Sequence, residues 1–216
     1  MARKTLSLNN TNQERLPIAV LVSGGGTNLQ ALIDASEQRD EPVPYRIAVV
    51  VADKEGTGAI ERAIRHGIPY ELALPPKGLS RPLQRQAVSD RVLEIMGAYQ
   101  VEAIVLAGFL TIMSGNLISQ FAGRMINLHP ALLPKFGGPG MWGHHVHEAV
   151  LASGDSESGC TVHLVDSGCD TGRILLQKKV PVLSGDTPER LANRIHAVEH
   201  EAVLEGTILL ARSLQT

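Results

Sequence analysis

The stretch Ile18-Ala-Val-Leu-Val-Ser-Gly-Gly-Gly-Thr-Asn-Leu-Gln-Ala-Leu-Ile33 begins with five apolar residues and then breaks at three consecutive glycines. After the break, Leu29, Leu32 and Ile33 recur with the 3.6-residue period of an amphipathic helix. A buried strand, a glycine turn and a helix in this order are typical of the first unit of a parallel α/β sheet.

The rest of the chain extends this pattern and then changes it. Apolar runs at 47–51 and 103–107 alternate with helical periodicity near 58–66 and 82–99. The later runs 160–165 and 173–182 are too close together for a helical crossover, so they predict antiparallel pairing. The sequence therefore predicts a single-domain α/β fold, with a mostly parallel twisted sheet, helices on both faces and an antiparallel addition at one end.

Local signals predict the boundaries of this domain. Residues 1–15 are polar and are expected to form an N-terminal tail, which leaves 16–216 as the domain. The segment from Lys135 to His147 is rich in Gly and His and predicts a surface loop, and Thr187-Pro188 is typical of a helix start.

Composition limits the classes of function. Of the 216 residues 44% are hydrophobic, and the formal charge is −2, which argues against a nucleic-acid binder acting through a basic surface. No apolar run approaches the roughly 20 residues that span a bilayer, so no membrane partner is expected. Two cysteines, Cys160 and Cys169, make no disulfide framework, and we expect a cytoplasmic protein.

The stretch Met125-Ile-Asn-Leu-His-Pro130 predicts chemistry. Asn127 and His129 are two residues apart in an apolar strand end, so both side chains are expected on one face. An amide donor beside a titratable ring suits a reaction in which negative charge develops on a carbonyl oxygen. Two polar residues at a strand edge by chance remain the alternative.

The glycine turn predicts an anion site. Glycines allow close approach of the backbone to a ligand, and free amides at a helix start favour phosphate. The dinucleotide fingerprint Gly-x-Gly-x-x-Gly fails because Leu29 occupies the third position, although Asp53 follows the second strand. No Gly-Lys-Ser/Thr follows either, so the turn is not a Walker loop. A turn that only packs tightly is the other interpretation.

Asn127-Leu-His-Pro-Ala-Leu-Leu-Pro134 is similar to the catalytic signature of the folate-dependent formyltransferases, and the resemblance covers the chain from about Pro17 to about Leu210. It implies a Rossmann-like formyltransferase domain with a phosphate-binding half at about 16–107 and a folate-binding, catalytic half at about 108–216. It also implies small-molecule substrates and a monomer or homodimer. The implied reaction transfers a formyl group from 10-formyltetrahydrofolate, a co-substrate, to the amine of N1-(5-phosphoribosyl)glycinamide in purine biosynthesis. No metal is expected.

The resemblance also implies roles for individual residues. The implied catalytic residues are Asn127, His129 and Asp170; the phosphoribosylglycinamide-binding residues are Gly26, Thr27, Asn28 and Glu199; the folate-binding residues are Arg85, Leu110, Thr111, Ile112, Met113 and Asn127. A carboxylate at Asp170 beside His129 should raise the pKa of the imidazole and favour imidazolium.

Position alone supports plainer interpretations of some of these residues. Asp170 lies in a glycine-flanked turn, Glu199 lies at the apolar edge of the last helix and is expected to reach solvent, and His163 is expected to be a structural histidine in a strand. Ile112 and Met113 fit the core as well as a pocket.

Other functions stay open at this point. His196-Ala-Val-Glu-His200 matches the His-x-x-Glu-His pattern of some zinc peptidases, which predicts a zinc-dependent hydrolase that uses His196, Glu199 and His200. A non-catalytic folate- or phosphoribosyl-binding module is the alternative from a different class. Relatives that formylate methionyl-tRNA or hydrolyse formyltetrahydrofolate share the Asn-x-His-Pro core.

Overall fold

The computed structural model describes residues 15–38 and 42–216. The predicted tail, apart from residue 15, lies outside the described residues. Within them the chain forms seven strands and six helices. In chain order these are β1 (Leu16–Val22), α1 (Thr27–Glu37), β2 (Tyr45–Ala52), α2 (Gly58–Arg65), β3 (Tyr70–Leu72), α3 (Arg81–Ala98), β4 (Ala103–Leu106), α4 (Asn116–Gln120), β5 (Met125–His129), α5 (His144–Ser153), β6 (Glu157–Leu164), β7 (Ile174–Pro181) and α6 (Pro188–Leu214).

The strands form one sheet in the order β3-β2-β1-β4-β5-β6-β7. Pairing is parallel from β3 to β5 and antiparallel from β5 through β6 to β7. This confirms the predicted fold class, including the antiparallel addition at one end. The division of the domain into two functional halves stays a prediction.

Alternating residues of the central strands supply two cores. Ile18 and Val20 of β1 contribute to one buried cluster, with side chains from α1, α2, α5 and α6. Ala19 and Leu21 point to the other face, where α3 and α4 cover them. Because both faces of β1 are buried, the strand is apolar throughout, as a parallel sheet covered on two sides requires. None of the helices in the described part of the chain is long and apolar enough to cross a bilayer.

The structure corrects one prediction about local structure. The expected loop from Lys135 to His147 ends earlier, because α5 begins at His144. Val146 and Val150 of this helix are completely buried in the first core, and that burial stabilises a helix that the His-rich sequence does not signal. Two short elements, β3 and α4, were also not predicted.

The predicted start of α6 is confirmed. Thr187 has extended backbone angles, its hydroxyl accepts a hydrogen bond from the Arg190 amide at 3.3 Å, and Pro188 is the first helical residue. The cap satisfies one of the amides that a helix start leaves without an internal partner.

We expect Thr187→Ala to lower the free energy of unfolding by about 1 kcal/mol, because the variant loses this cap. Thr187→Ser keeps a hydroxyl and should stay close to wild type. Urea denaturation of the three proteins measures the difference. An equal loss in both variants would mean that the threonine methyl group, and not the cap, is what matters.

Candidate functional site

A cavity of about 810 Å³ lies where the order of the strands reverses. From β1 the chain proceeds outward to β2 and β3, and it then returns through α3 to β4 on the other side of β1. Ligands of open α/β sheets bind at such switch points, outside the carboxyl ends of the strands. Residues that follow β1, β4 and β5 line this cavity, among them Asn28, Gly108 and Pro130.

The three predicted catalytic residues come together in the cavity wall. His129 Nδ1 lies 3.6 Å from Asp170 Oδ2, and Asn127 Nδ2 lies 3.5 Å from Asp170 Oδ1. Asp170 follows β6 in a turn and has a left-handed backbone conformation, with φ 58°. The Gly138 amide donates to its Oδ2 at 3.0 Å, so the carboxylate is fixed from several sides.

The protonation of His129 differs from the prediction. Its Nε2 lies 2.6 Å from the Phe136 carbonyl oxygen, which can only accept, so Nε2 carries a proton and Nδ1 is the nitrogen that titrates. The side chain is only 4% exposed. Burial lowers the pKa of His129 by more than the Asp170 carboxylate raises it, so the pKa is below its ordinary value and not above it.

Asp170 itself remains ionised. Burial acts to raise the pKa of its carboxyl, but the imidazoles of His163 and His129 and the amide of Gly138 outweigh burial and hold the pKa below its usual range. A carboxylate and a neutral imidazole therefore face each other at neutral pH. A proton that reaches His129 Nδ1 is stabilised at once by the adjacent negative charge.

His163 belongs to this cluster, and sequence reasoning missed it. It lies opposite Asn127 in the antiparallel pairing of β5 and β6, and its Nε2 accepts a hydrogen bond from Asn127 Nδ2 at 3.1 Å. Its Nδ1 donates to the Leu164 carbonyl at 2.8 Å. The ring is satisfied, as predicted, but it also orients the Asn127 amide. Side chains alternate between the two faces of β6, so His163 could have been placed on the same face as Asn127 if the register between β5 and β6 had been known. The sequence shows the alternation but not the register.

The glycine turn after β1 forms the predicted helix start. Gly26 precedes α1 with φ 73°, a left-handed conformation, and a Cβ added there would lie 2.9 Å from Ala59 Cα. No acidic residue lies in the first turn of α1, and this keeps the amides at its start available to an anion. Of the three predicted binding residues, Asn28 lines the cavity, Gly26 is buried and Thr27 is exposed.

Glu199 faces the cavity from α6 and does not reach solvent, so the interpretation as a boundary residue is wrong. The residue is 4% exposed, and its Oε2 accepts hydrogen bonds from Asn28 Nδ2 at 3.2 Å and from His196 Nδ1 at 2.6 Å. Burial acts to raise the pKa of Glu199, but the hydrogen bond from His196 opposes it and the pKa lies below its ordinary value. That hydrogen bond raises the pKa of His196.

The zinc-hydrolase alternative finds no matching geometry. The Nδ1 of His196 is occupied by Glu199, and His200 is exposed. Across residues 15–38 and 42–216, no group of three His, Cys, Asp or Glu side chains is arranged to hold a metal ion. In this His-x-x-Glu-His pattern, Glu199 instead accepts hydrogen bonds from His196 and from Asn28 of α1, and these contacts are a structural reason for a carboxylate at this position of α6.

The predicted folate-binding segment follows β4 and lines the cavity. The Leu110 amide donates to Ser23 Oγ at 2.8 Å, and Thr111 Oγ1 donates to Asp53 Oδ2 at 2.8 Å. Asp53, which follows β2, thus anchors this segment. Met113 lies both in the second core and in the cavity wall. The cavity is lined by every predicted folate-binding position, namely Arg85, Leu110, Thr111, Ile112, Met113 and Asn127.

Sequence reasoning gave no role to several other residues of the wall. Those with polar or aromatic side chains that line the cavity are Arg81, Phe109, Trp142, His144, His147, Asp166, Cys169, Glu189 and Asn193. Most of them come from the segment 138–147 and from α6, whose approach to the strand ends depends on tertiary packing.

The pKa of His129 offers a direct test of this geometry. In Asp170→Asn the negative charge beside Nδ1 is lost, so we expect the His129 pKa, already below the ordinary 6.5, to fall further. Nitrogen-15 NMR titration of the imidazole measures it. Asp155→Asn, which removes a carboxylate paired with Lys135 elsewhere, should leave the His129 titration unchanged. A higher His129 pKa in Asp170→Asn would contradict the placement of the two groups.

Comparison with known proteins agrees with this fold. Residues 16–207 match the family described as formyl transferase. The chain is 43% identical over 200 residues to the trifunctional purine biosynthetic protein adenosine-3 of Drosophila pseudoobscura pseudoobscura, covering 93% of this chain and 14% of the relative. It is 40% identical over 191 residues to the chloroplastic phosphoribosylglycinamide formyltransferase of Arabidopsis thaliana, covering 88% and 64% of the two chains. This chain thus spans less than two thirds of the length of these curated relatives.

A solved structure shows the same architecture. Glycinamide ribonucleotide transformylase 1 from Symbiobacterium toebii superposes with a TM-score of 0.82 at 38% identity, over 93% of this chain and 89% of the other. Family, sequence and structure agree over nearly the whole described region, and the chain belongs to the formyl transferase family.

Proposed function

We propose that the protein transfers a formyl group from 10-formyltetrahydrofolate to the amine of N1-(5-phosphoribosyl)glycinamide, as a step of de novo purine biosynthesis. The names of its relatives support this reaction. The observation that carries it is the convergence of Asn127, His129 and Asp170 in one cavity, between a helix start suited to phosphate and a segment suited to a pterin.

The ribosyl phosphate binds at the start of α1. Gly26, Thr27 and Asn28 present the amides of the helix start, and the positive end of the helix dipole favours the phosphate charge. Glu199, held by Asn28, then contacts the amine end of the substrate. Glu199 Oε1 forms no hydrogen bond to any described residue, so this oxygen is available to an N–H donor of the substrate.

The folate binds along the segment Leu110, Thr111, Ile112 and Met113, with its reactive end towards Asn127. The guanidinium groups of Arg85 and Arg81 line the same cavity, and within residues 15–38 and 42–216 neither forms an ion pair. Two cations without a protein counter-charge suit the carboxylates of the glutamate end of a folate. Arg85 was predicted as a folate-binding residue, and Arg81 lies one helical turn earlier in α3.

Catalysis follows from the charges of the cluster. The neutral amine of the substrate attacks the formyl carbon, and the carbonyl oxygen becomes an oxyanion. The Asn127 amide, oriented by His163, donates to this oxyanion, a contribution of roughly 10²–10³ in rate. Neutral His129, or a water held by Asp170, accepts the amine proton and returns it to the departing folate nitrogen, which contributes a further factor of about 10²–10⁴ in rate.

The lowered pKa of His129 changes the role that the sequence suggested. A ring that is neutral at rest acts first as a base and only then as an acid, and the Asp170 carboxylate stabilises the imidazolium between the two steps. No metal enters these steps. A cytoplasmic location and a monomeric or homodimeric state stay predictions, and one relative carries a chloroplastic name.

The experiment that tests the proposal is an absorbance assay with 10-formyl-5,8-dideazafolate and phosphoribosylglycinamide. Wild-type protein should form the deformylated folate only when both substrates are present. Deformylation without the amine would indicate a hydrolase, and no turnover despite binding of both compounds would indicate a binding module.

In the same assay we expect Asn127→Ala to lower kcat about a hundredfold or more, because the oxyanion loses a donor. The KM for phosphoribosylglycinamide should change little, since the phosphate site lies at α1. Asn116→Ala at the start of α4, outside the cavity, serves as the matched control. Equal losses in kcat and in phosphoribosylglycinamide affinity would instead point to a structural role for Asn127.

A glycine variant tests the phosphate site. Gly26→Ala introduces a Cβ 2.9 Å from Ala59 Cα at a left-handed position, so the start of α1 must shift. We expect the KM for phosphoribosylglycinamide to rise several-fold while the KM for the folate stays unchanged. Gly97→Ala in α3, outside the cavity, is the control, because no atom lies within 4 Å of the added Cβ. A rise in the folate KM alone would place the phosphate elsewhere.

A further inference from the structure

Trp142 is the only tryptophan of the chain, and it lies in the wall of the cavity without a partner in the core. The residue is 54% exposed. Its ring meets one other ring, the imidazole of His145, edge to face at a centroid distance of 5.2 Å. No described residue accepts a hydrogen bond from the indole nitrogen. An indole with open faces at a cavity wall is a large apolar surface that a ligand can cover.

The backbone directs this side chain towards the cavity. Gly138, Gly140 and Gly143 all have left-handed conformations, with φ of 98°, 92° and 56°. A Cβ added at any of them would meet no atom within 4 Å, so these glycines are required for conformation and not for space. Met141 packs against the first core, and the following residue, Trp142, turns away from that core.

The segment is also attached to the catalytic cluster. The Gly138 amide donates to Asp170 Oδ2 at 3.0 Å, and the Met141 amide donates back to the Gly138 carbonyl at 3.1 Å. Through these two hydrogen bonds the position of the indole depends on the same carboxylate that faces His129. Trp142 therefore lines the same cavity as Asn127 and His129, where the reactive end of a ligand would lie.

The two proposed substrates differ in what they offer an indole. Phosphoribosylglycinamide is polar throughout and has no aromatic ring, whereas a folate has a planar bicyclic ring and a benzoyl ring. Planar rings gain from stacking on an indole, and polar sugars do not gain in the same way. Of the two proposed substrates, the folate is therefore the one that we expect to contact the Trp142 indole.

We propose that Trp142 is a folate-binding residue that stacks on an aromatic ring of the co-substrate and thereby determines folate affinity. This inference rests on the proposed formyl transfer only for the identity of the ligand. It gives a role to an exposed aromatic side chain of the cavity wall that neither the motif nor the catalytic cluster uses.

Tryptophan fluorescence tests the proposal directly, because Trp142 is the only tryptophan of the chain and therefore the source of all its tryptophan emission. We expect saturating 10-formyl-5,8-dideazafolate to shift and quench the emission, after correction against free tryptophan at the same absorbance. Phosphoribosylglycinamide alone should leave the emission unchanged. Calorimetry on the same sample measures folate binding independently. An unchanged emission when calorimetry shows saturation would overturn the proposal and leave formyl transfer intact.

Variants provide the second measurement. Trp142→Ala should raise the KM for the folate about tenfold with little change in kcat, and Trp142→Phe should recover most of the affinity, since it keeps a stacking ring. Leu183→Ala removes an apolar side chain that is 53% exposed outside the cavity and should behave as wild type. A Trp142→Ala protein with wild-type folate KM, or one that loses only phosphoribosylglycinamide affinity, would overturn the assignment. Absence of folate binding in wild-type calorimetry would overturn the proposed function together with it.

Discussion

The pairing of β5 with two different neighbours is the constraint on which the site depends. On one side β5 pairs in parallel with β4, so its carboxyl end lies beside the ends of the other parallel strands and opens on the cavity. On the other side it pairs antiparallel with β6, and this register places His163 opposite Asn127. A shift of one residue in that pairing would turn His163 to the other face of the sheet and would leave the Asn127 amide without its acceptor. The turn after β6, which holds Asp170, would move with it.

Two carboxylates with little exposure to solvent, one half-buried and one buried, then define the electrostatics of the cavity. The side chains of Asp170 and Glu199 are 12% and 5% exposed, and an isolated buried carboxylate would take up a proton. Each instead lies beside an imidazole, His129 or His196, and each has a pKa below its ordinary range. The imidazoles respond in opposite ways because His129 is buried, whereas the side chain of His196 is 58% exposed and loses little hydration when it is charged. One fold therefore contains a histidine that is neutral at rest and another whose charge is favoured.

The sequence predicted the elements whose stability is local and missed those whose stability comes from distant contacts. The strand and helix order, the Thr187 cap and the antiparallel end depend on periodicity and turn chemistry, which a single sequence displays. Helix α5 depends on Val146 and Val150 reaching the core, and no local pattern shows that. The burial of Glu199 depends on an Asn28 contact across 171 residues.

The error about His129 has the same origin. Proximity to Asp170 was predicted correctly, and proximity to a carboxylate raises a histidine pKa. Burial acts against the charged form, however, and its extent depends on residues that no motif names, such as Phe136, whose carbonyl fixes the ring. Residue type and spacing can identify the partners in a site, but which of two opposing electrostatic effects is larger depends on how much water the fold excludes. The segment from Gly138 to His144 lines the cavity and also donates a hydrogen bond to Asp170. The contacts that shape the site therefore also hold the charge that acts on His129, and burial and this charge together determine the pKa of His129.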